Sequence, residues 1–177
     1  MRRDLFIHLS FWFSFFVLIS IFKHYLSLSF WPFWLGGTLG VFLPDLDHLI
    51  YVFFLDPQDL TSQRVSFLCQ KKEYKRAIEL LYETRSERRE LAFHTLIFQI
   101  IFFILAFWVM SSSASIFGKG LVLSFALHLS VDQLVDLSDM KSLSNWTKSF
   151  PFKLDLAKSK IYWLVGTLLV LAMGFLM

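Results

Sequence analysis

Seven side chains of this 177-residue chain have the chemistry to hold a divalent cation: His8, Asp45, Asp47, His48, His94, His128 and Asp132. Four of the five histidines belong to that set, and His24 is the exception. His128 and Asp132 are spaced i, i+4 and Asp136 follows one turn later, so a helix puts all three on one face. If the chain is helical after Pro44, Asp45 and His48 share a face at i, i+3, and Asp47 points elsewhere, toward a second ion. Imidazole and carboxylate without thiolate suit Zn²⁺, Mn²⁺ or Fe²⁺ in a site with open positions. Such a site makes a water nucleophile at neutral pH. The expected reaction class is therefore metal-assisted hydrolysis, with Asp45 or Asp47 as proton acceptor. Interhelical hydrogen bonds and proton relays use the same residue types.

The elements that must position these groups are apolar. Hydrophobic residues make up 56% of the chain, phenylalanine alone contributes 22, charged residues are 18%, and the mean hydropathy is +0.58. That balance excludes a soluble domain, intrinsic disorder and collagen-like sequence. Hydrophobic stretches cover residues 5–22, 30–55, 92–110, 118–137 and 161–177. They predict a single all-α domain over residues 1–177, a polytopic membrane helix bundle of five spans. Arg2 and Arg3 precede the first stretch as in a signal peptide. Yet 18 apolar residues exceed a usual signal core and no small-residue cleavage site follows, so a retained span is expected.

With the N-terminus inside, fifteen of the seventeen Lys and Arg fall on the inner side, and only Lys23 and Lys119 lie outside. The positive-inside rule then gives a multi-pass inner-membrane protein, N-terminus cytoplasmic and C-terminus outside. On that topology His8, His94, Asp132 and the Asp45–His48 strip lie near one depth on the cytoplasmic side. A relay would instead need a ladder across the bilayer. Ionisable groups within spans are functional candidates by default.

Residues 56–91 form a cytoplasmic insertion. Val65, Leu68, Ile78, Leu81 and Tyr82 recur among charges at helical spacing, which predicts one or two amphipathic helices at the headgroups, the last running into the third span. The basic run 71–76 is too short to indicate nucleic acid. A single cysteine, Cys69, excludes an internal disulfide and a CxxC metal knuckle. Gly36-Gly37-Thr38-Leu39-Gly40 lies inside a span and suits close helix packing better than phosphate binding.

At the metal-binding residues the chain resembles the membrane-bound metal-dependent hydrolases of the YdjM-like group. Gly40-Val-Phe-Leu-Pro-Asp-Leu-Asp-His48 is similar to that family's G-x-x-x-P-D-x-D-H signature, and His128-Leu-Ser-Val-Asp132 to its H-x-x-x-D element. His8 matches an early histidine, and His94-Thr95 the end of an H-R-x-x-T-H-S element. The family is distantly similar to zinc-dependent phospholipases C. The resemblance implies a helical site holding one to three ions, zinc foremost, with manganese or iron as alternatives. It also implies a phosphoester substrate, phospholipid included, taken at the lipid bilayer. Where the family has His-Arg, this chain has Arg89-Glu90, and Phe93 and Val135 stand at usual threonines. Arg88 and Arg89 are expected to pair with the substrate phosphate, and Asp136 to sit behind the ligands. The rival expectation is a non-enzymatic membrane protein: an ion- or proton-coupled transport subunit, or a scaffold with a structural metal.

Overall fold

The computed structural model describes residues 2–85, 88, 91–112, 115–148 and 154–176, and every regular element among them is helical. The order is α1 (Arg2–Phe22), a 3-10 turn (Leu28–Phe30), α2 (Trp31–Phe42), α3 (Leu46–Ile50) with a π-helical continuation (Tyr51–Leu55), α4 (Leu60–Gln70), α5 (Tyr74–Glu83), α6 (Leu96–Ser112), α7 (Ile116–Asp139) and α8 (Leu156–Leu176).

By length and composition α1, α7 and α8 can each cross a membrane, and the bent pair Leu28–Phe42 plus Leu46–Leu55 would make a fourth span. α6 is shorter, at 17 residues or about 26 Å. The 41° bend in the pair falls at Pro44, which has no N–H to continue the ladder. Local sequence also sets the other boundaries. Pro32 opens α2, Asp59 caps α4 by accepting from the Thr61 and Ser62 amides, and Ser115 caps α7 through the Gly118 amide.

α7 lies at the centre, in contact with α1, α2, α6 and α8. Its most apolar window is 72% buried, against 28% for α1 and α8. α2 and α7 run side by side in the same direction with backbones nearly touching. A Cβ on Gly36 would collide with the Phe117 carbonyl, one on Gly40 with the Leu121 carbonyl, and one on Gly120 with the Phe33 carbonyl. The glycine cluster is thus a packing device, and a small-xxx-small spacing permits the approach. Phe16, Phe33, Leu123, Ala126 and Leu127 fill the bundle beside this seam.

The insertion folds as two helices, α4 and α5, closed on the π-helical turn by Tyr51, Val52, Val65, Ala77 and Leu81. It does not run on into the next apolar helix, as the sequence predicts. α5 stops at Glu83, and the described residues from 91 to 95 are non-helical until α6 starts at Leu96. The amides of Ala92 and Phe93 donate instead to the Asp47 carboxylate, at 2.9 and 2.6 Å. The Leu96 amide donates to the Trp146 carbonyl at 2.8 Å. Those tertiary acceptors take the donors that helix continuation would need.

Candidate metal centre

Asp132 is fully buried, about two turns into the helix bundle from the end of α7, and four side chains converge on it. His8 of α1 places Nε2 3.1 Å from Oδ1, and the Arg85 guanidinium pairs with the same oxygen. His128 of α7 places Nε2 3.1 Å from Oδ2, and His94 places Nε2 2.8 Å from it. The His8 and His128 rings are 4.2 Å apart between centroids. One donor atom from each of His8, His128 and Asp132 can be chosen so that all lie within 4.8 Å of one another.

The far side of each ring fixes what the near side offers. His8 Nδ1 meets the Asp4 carbonyl at 2.8 Å, and His128 Nδ1 meets the Val41 carbonyl at 2.6 Å. A carbonyl only accepts, so each Nδ1 carries a proton and each neutral ring turns a bare Nε2 lone pair inward. Both Nε2 atoms are buried, and apart from the nearby Asp132 carboxylate neither has a hydrogen-bond partner. Two lone pairs and a carboxylate face one point. Protonating both rings would place two positive charges side by side, a repulsion of about 4 kcal/mol at an effective dielectric of 20, with Arg85 adding a third. A bound cation would satisfy both lone pairs and the carboxylate, and histidine ligands are ordinarily held in this way by a carbonyl on the second nitrogen. The Pro44 bend contributes directly, because α2 ends at Phe42 and its last-turn Val41 carbonyl goes to the His128 ring.

Asp45 approaches the same point from the bend. Its Oδ1 is 3.8 Å from His128 Nε2, and its side chain is 28% exposed, against none for Asp47 and Asp132. Asp47 is brought to the centre's edge but is not turned toward a second ion. Besides the two amides it holds His94 Nδ1 at 3.1 Å, so it anchors the 92–94 strip and presents the His94 ring to Asp132. His48 stands beside His94, with ring centroids 5.7 Å apart. Its Nδ1 accepts from Arg88 Nε at 3.1 Å, which leaves the proton on Nε2 and so no lone pair for a ligand in this arrangement. Asp136, one turn further along α7, accepts from Trp146 Nε1 at 2.7 Å.

Of the two arginines expected to meet a phosphate, Arg88 is buried and donates to the Leu81 carbonyl, the Thr84 hydroxyl and His48. Arg89 lies outside the described residues. The cation at the centre is Arg85, which sequence reading passes over. Its only signal there is its position one helical step before Arg88. Burial works against its charge, but the Asp132 carboxylate, with Asp136 and Asp45 farther off, outweighs burial and holds its pKa above the usual value. Trp146 is a second unforeseen member, packed edge-on to His94 at 5.4 Å.

A cavity of about 220 Å³ opens beside the centre, at the end of the bundle where α1 begins and α7 stops. Arg85, His94 and Trp146 form part of its wall. No family model matches the chain, and no curated protein or solved structure matches it.

Proposed function

We propose that this chain is a metal-dependent hydrolase of the inner membrane, acting on a phosphoester at a cytoplasm-facing centre. The reading includes five crossings, N-terminus cytoplasmic, with α6 as the short third span and the bent pair as the second. The observation that carries it is the pair of inward, carbonyl-locked lone pairs on His8 and His128, set against the buried Asp132 carboxylate. The likeness of Gly40–His48 to a hydrolase signature supports it independently.

His8, His128 and Asp132 would hold the cation, with Asp45 next to them. Two imidazoles and one carboxylate suit zinc, and also manganese or iron, and three protein ligands leave positions open. The ion supplies Lewis acidity and a water nucleophile at neutral pH. Asp45 is the better proton acceptor of the two sequence candidates, because it is partly open to the site while Asp47 is committed to amides 92 and 93. Asp47 acts as a positioning residue through His94. Arg85 faces the cavity and can pair with a phosphoryl oxygen.

The test is metal analysis of purified protein, joined to hydrolysis of bis(p-nitrophenyl) phosphate. About one zinc, manganese or iron per chain is expected, lost in His8→Ala/His128→Ala together with activity. Metal-free wild type after reconstitution with all three ions, or undiminished hydrolysis in the double variant, would refute the proposal.

A further inference from the structure

We infer that the substrate is a phospholipid taken sideways from the bilayer, with an acyl chain in an apolar groove between α3 and α5 and its phosphate on Arg85. The inference deepens the hydrolase reading and rests on it for the reaction, but not for the binding.

Among the described residues, two openings of opposite character reach the centre. The cavity at the end of the bundle is rimmed by Asp4, Glu83, Asp136 and Asp139. Arg85 and Arg88 lie in the same wall and Arg3 pairs with Asp139, so the four carboxylates outnumber the cations and make this mouth a poor entry for a soluble phosphate. The second opening is a groove of about 220 Å³ on the side of the bundle, walled by Phe42, Leu46, Leu49, Ile78 and Leu81. Its polar groups, Asp45, His48, Tyr82 and Arg85, belong to the centre or border it. Phe42, Leu46 and Leu49 come from the bent span and remain 39–45% exposed, so this wall meets lipid wherever that span crosses the membrane.

Tyr82 and Arg85 line both openings, so the groove and the cavity meet at those two side chains. Whereas a small soluble ester uses only the cavity, an amphiphile uses both parts of this arrangement. Its chain replaces lipid contacts with groove contacts, and its anionic head reaches a guanidinium. The Arg85 fork has five N–H donors, and its ion pair with Asp132 uses Nη2. The acidic mouth then admits water and releases a headgroup product.

The experiment is native mass spectrometry of the full chain in detergent with EDTA present, so that binding is read without metal or turnover. The probes are dioctanoyl phosphatidylglycerol, dioctanoylglycerol and inorganic phosphate, one at a time. One phosphatidylglycerol per chain is expected, bound about tenfold or more tightly than dioctanoylglycerol. Arg85→Gln should erase most of that preference. Leu49→Trp, which fills the groove, should weaken both lipids, and Ile78→Trp serves the same purpose at the rim should Leu49→Trp fail to fold. Equal retention of the two lipids, indifference to Arg85→Gln and to the groove variant, or inorganic phosphate binding as tightly as the lipid would each overturn the inference. Loss of the metal centre in its own test would leave these outcomes unchanged, so the two failures are distinguishable.

Discussion

On the proposed metal-centre reading, stripping a bound cation should lower the thermal stability of the chain, and restoring it should raise stability along a predictable curve. A ligand that binds only the folded state stabilises it by RT ln(1 + [L]/Kd), or about 2.7 kcal/mol when the free ion is at a hundred times Kd. In a chain of this size each kcal/mol moves the melting temperature by about 2–4 °C, so the expected rise is roughly 5–11 °C. The donors need little reorganisation, because the Asp4 and Val41 carbonyls already orient both imidazoles. The assay is unfolding of EDTA-treated protein in detergent, followed by tryptophan fluorescence across a buffered zinc series. His24→Ala should track wild type, since His24 is exposed and remote from the centre. His8→Ala/His128→Ala should stay flat. A flat wild-type curve, or an equal rise in the double variant, would refute the reasoning, the latter because the zinc would then be held elsewhere.

Three further outcomes follow from particular contacts. Gly36→Ala should destabilise by about 3 kcal/mol, because its Cβ meets the Phe117 backbone. Gly166→Ala, where the nearest atom would be Phe103 Cε2 at 3.6 Å, should be neutral or stabilising by up to about 1 kcal/mol; equal melting of the two variants would contradict the close α2–α7 seam. Asp47→Ala should release amides 92 and 93, costing about 3–5 kcal/mol, and exchange mass spectrometry should show faster deuterium uptake across 91–96; unchanged uptake would remove Asp47 from its anchoring role. An impermeant maleimide should label Cys69 in inverted inner-membrane vesicles and not in intact spheroplasts, while Lys119→Cys in a Cys69→Ser chain should do the reverse. The opposite pattern would invert the proposed orientation.

Much of this geometry is legible in the residue spacing. The i, i+4 relation of His128 and Asp132 and the break at Pro44 follow from helix periodicity and the missing proline N–H. The glycines at 36 and 40 carry their packing role in their separation. What spacing does not carry is where backbone donors and acceptors go. Asp47 takes amides from a segment forty-five residues away, so it anchors a loop instead of facing an ion. The Val41 and Asp4 carbonyls fix both imidazoles, yet a carbonyl has no residue type to read. Arg85 reads as one cation among many in a charged insertion, and only the fold of α5 against the bend brings it to Asp132. The continuous helix expected before α6 fails for the same reason, since its amides have tertiary acceptors that local propensity does not register.

The same contacts bear on the choice between hydrolase and transport subunit. A transport path needs polar groups from one face of the membrane to the other. Beyond His128, toward the opposite end of the bundle, the described parts of α1, α2, α6 and α8 carry no His, Asp, Glu, Lys or Arg, and α7 carries only Lys119 at its start. That half is filled by Phe16, Phe33, Ala126, Leu123 and Leu127, with Gly36 and Gly40 drawing α2 onto α7 backbone to backbone. Opening a channel there would separate the closest-packed helices in the chain. The two openings to the centre formed by the described residues lie on its other side, one at the end of the bundle and one along the bent span. An apolar, tightly packed seam on one side of the centre and two openings on the other fit the proposed reaction, in which a lipid and water must meet, better than they fit an ion path through the bundle.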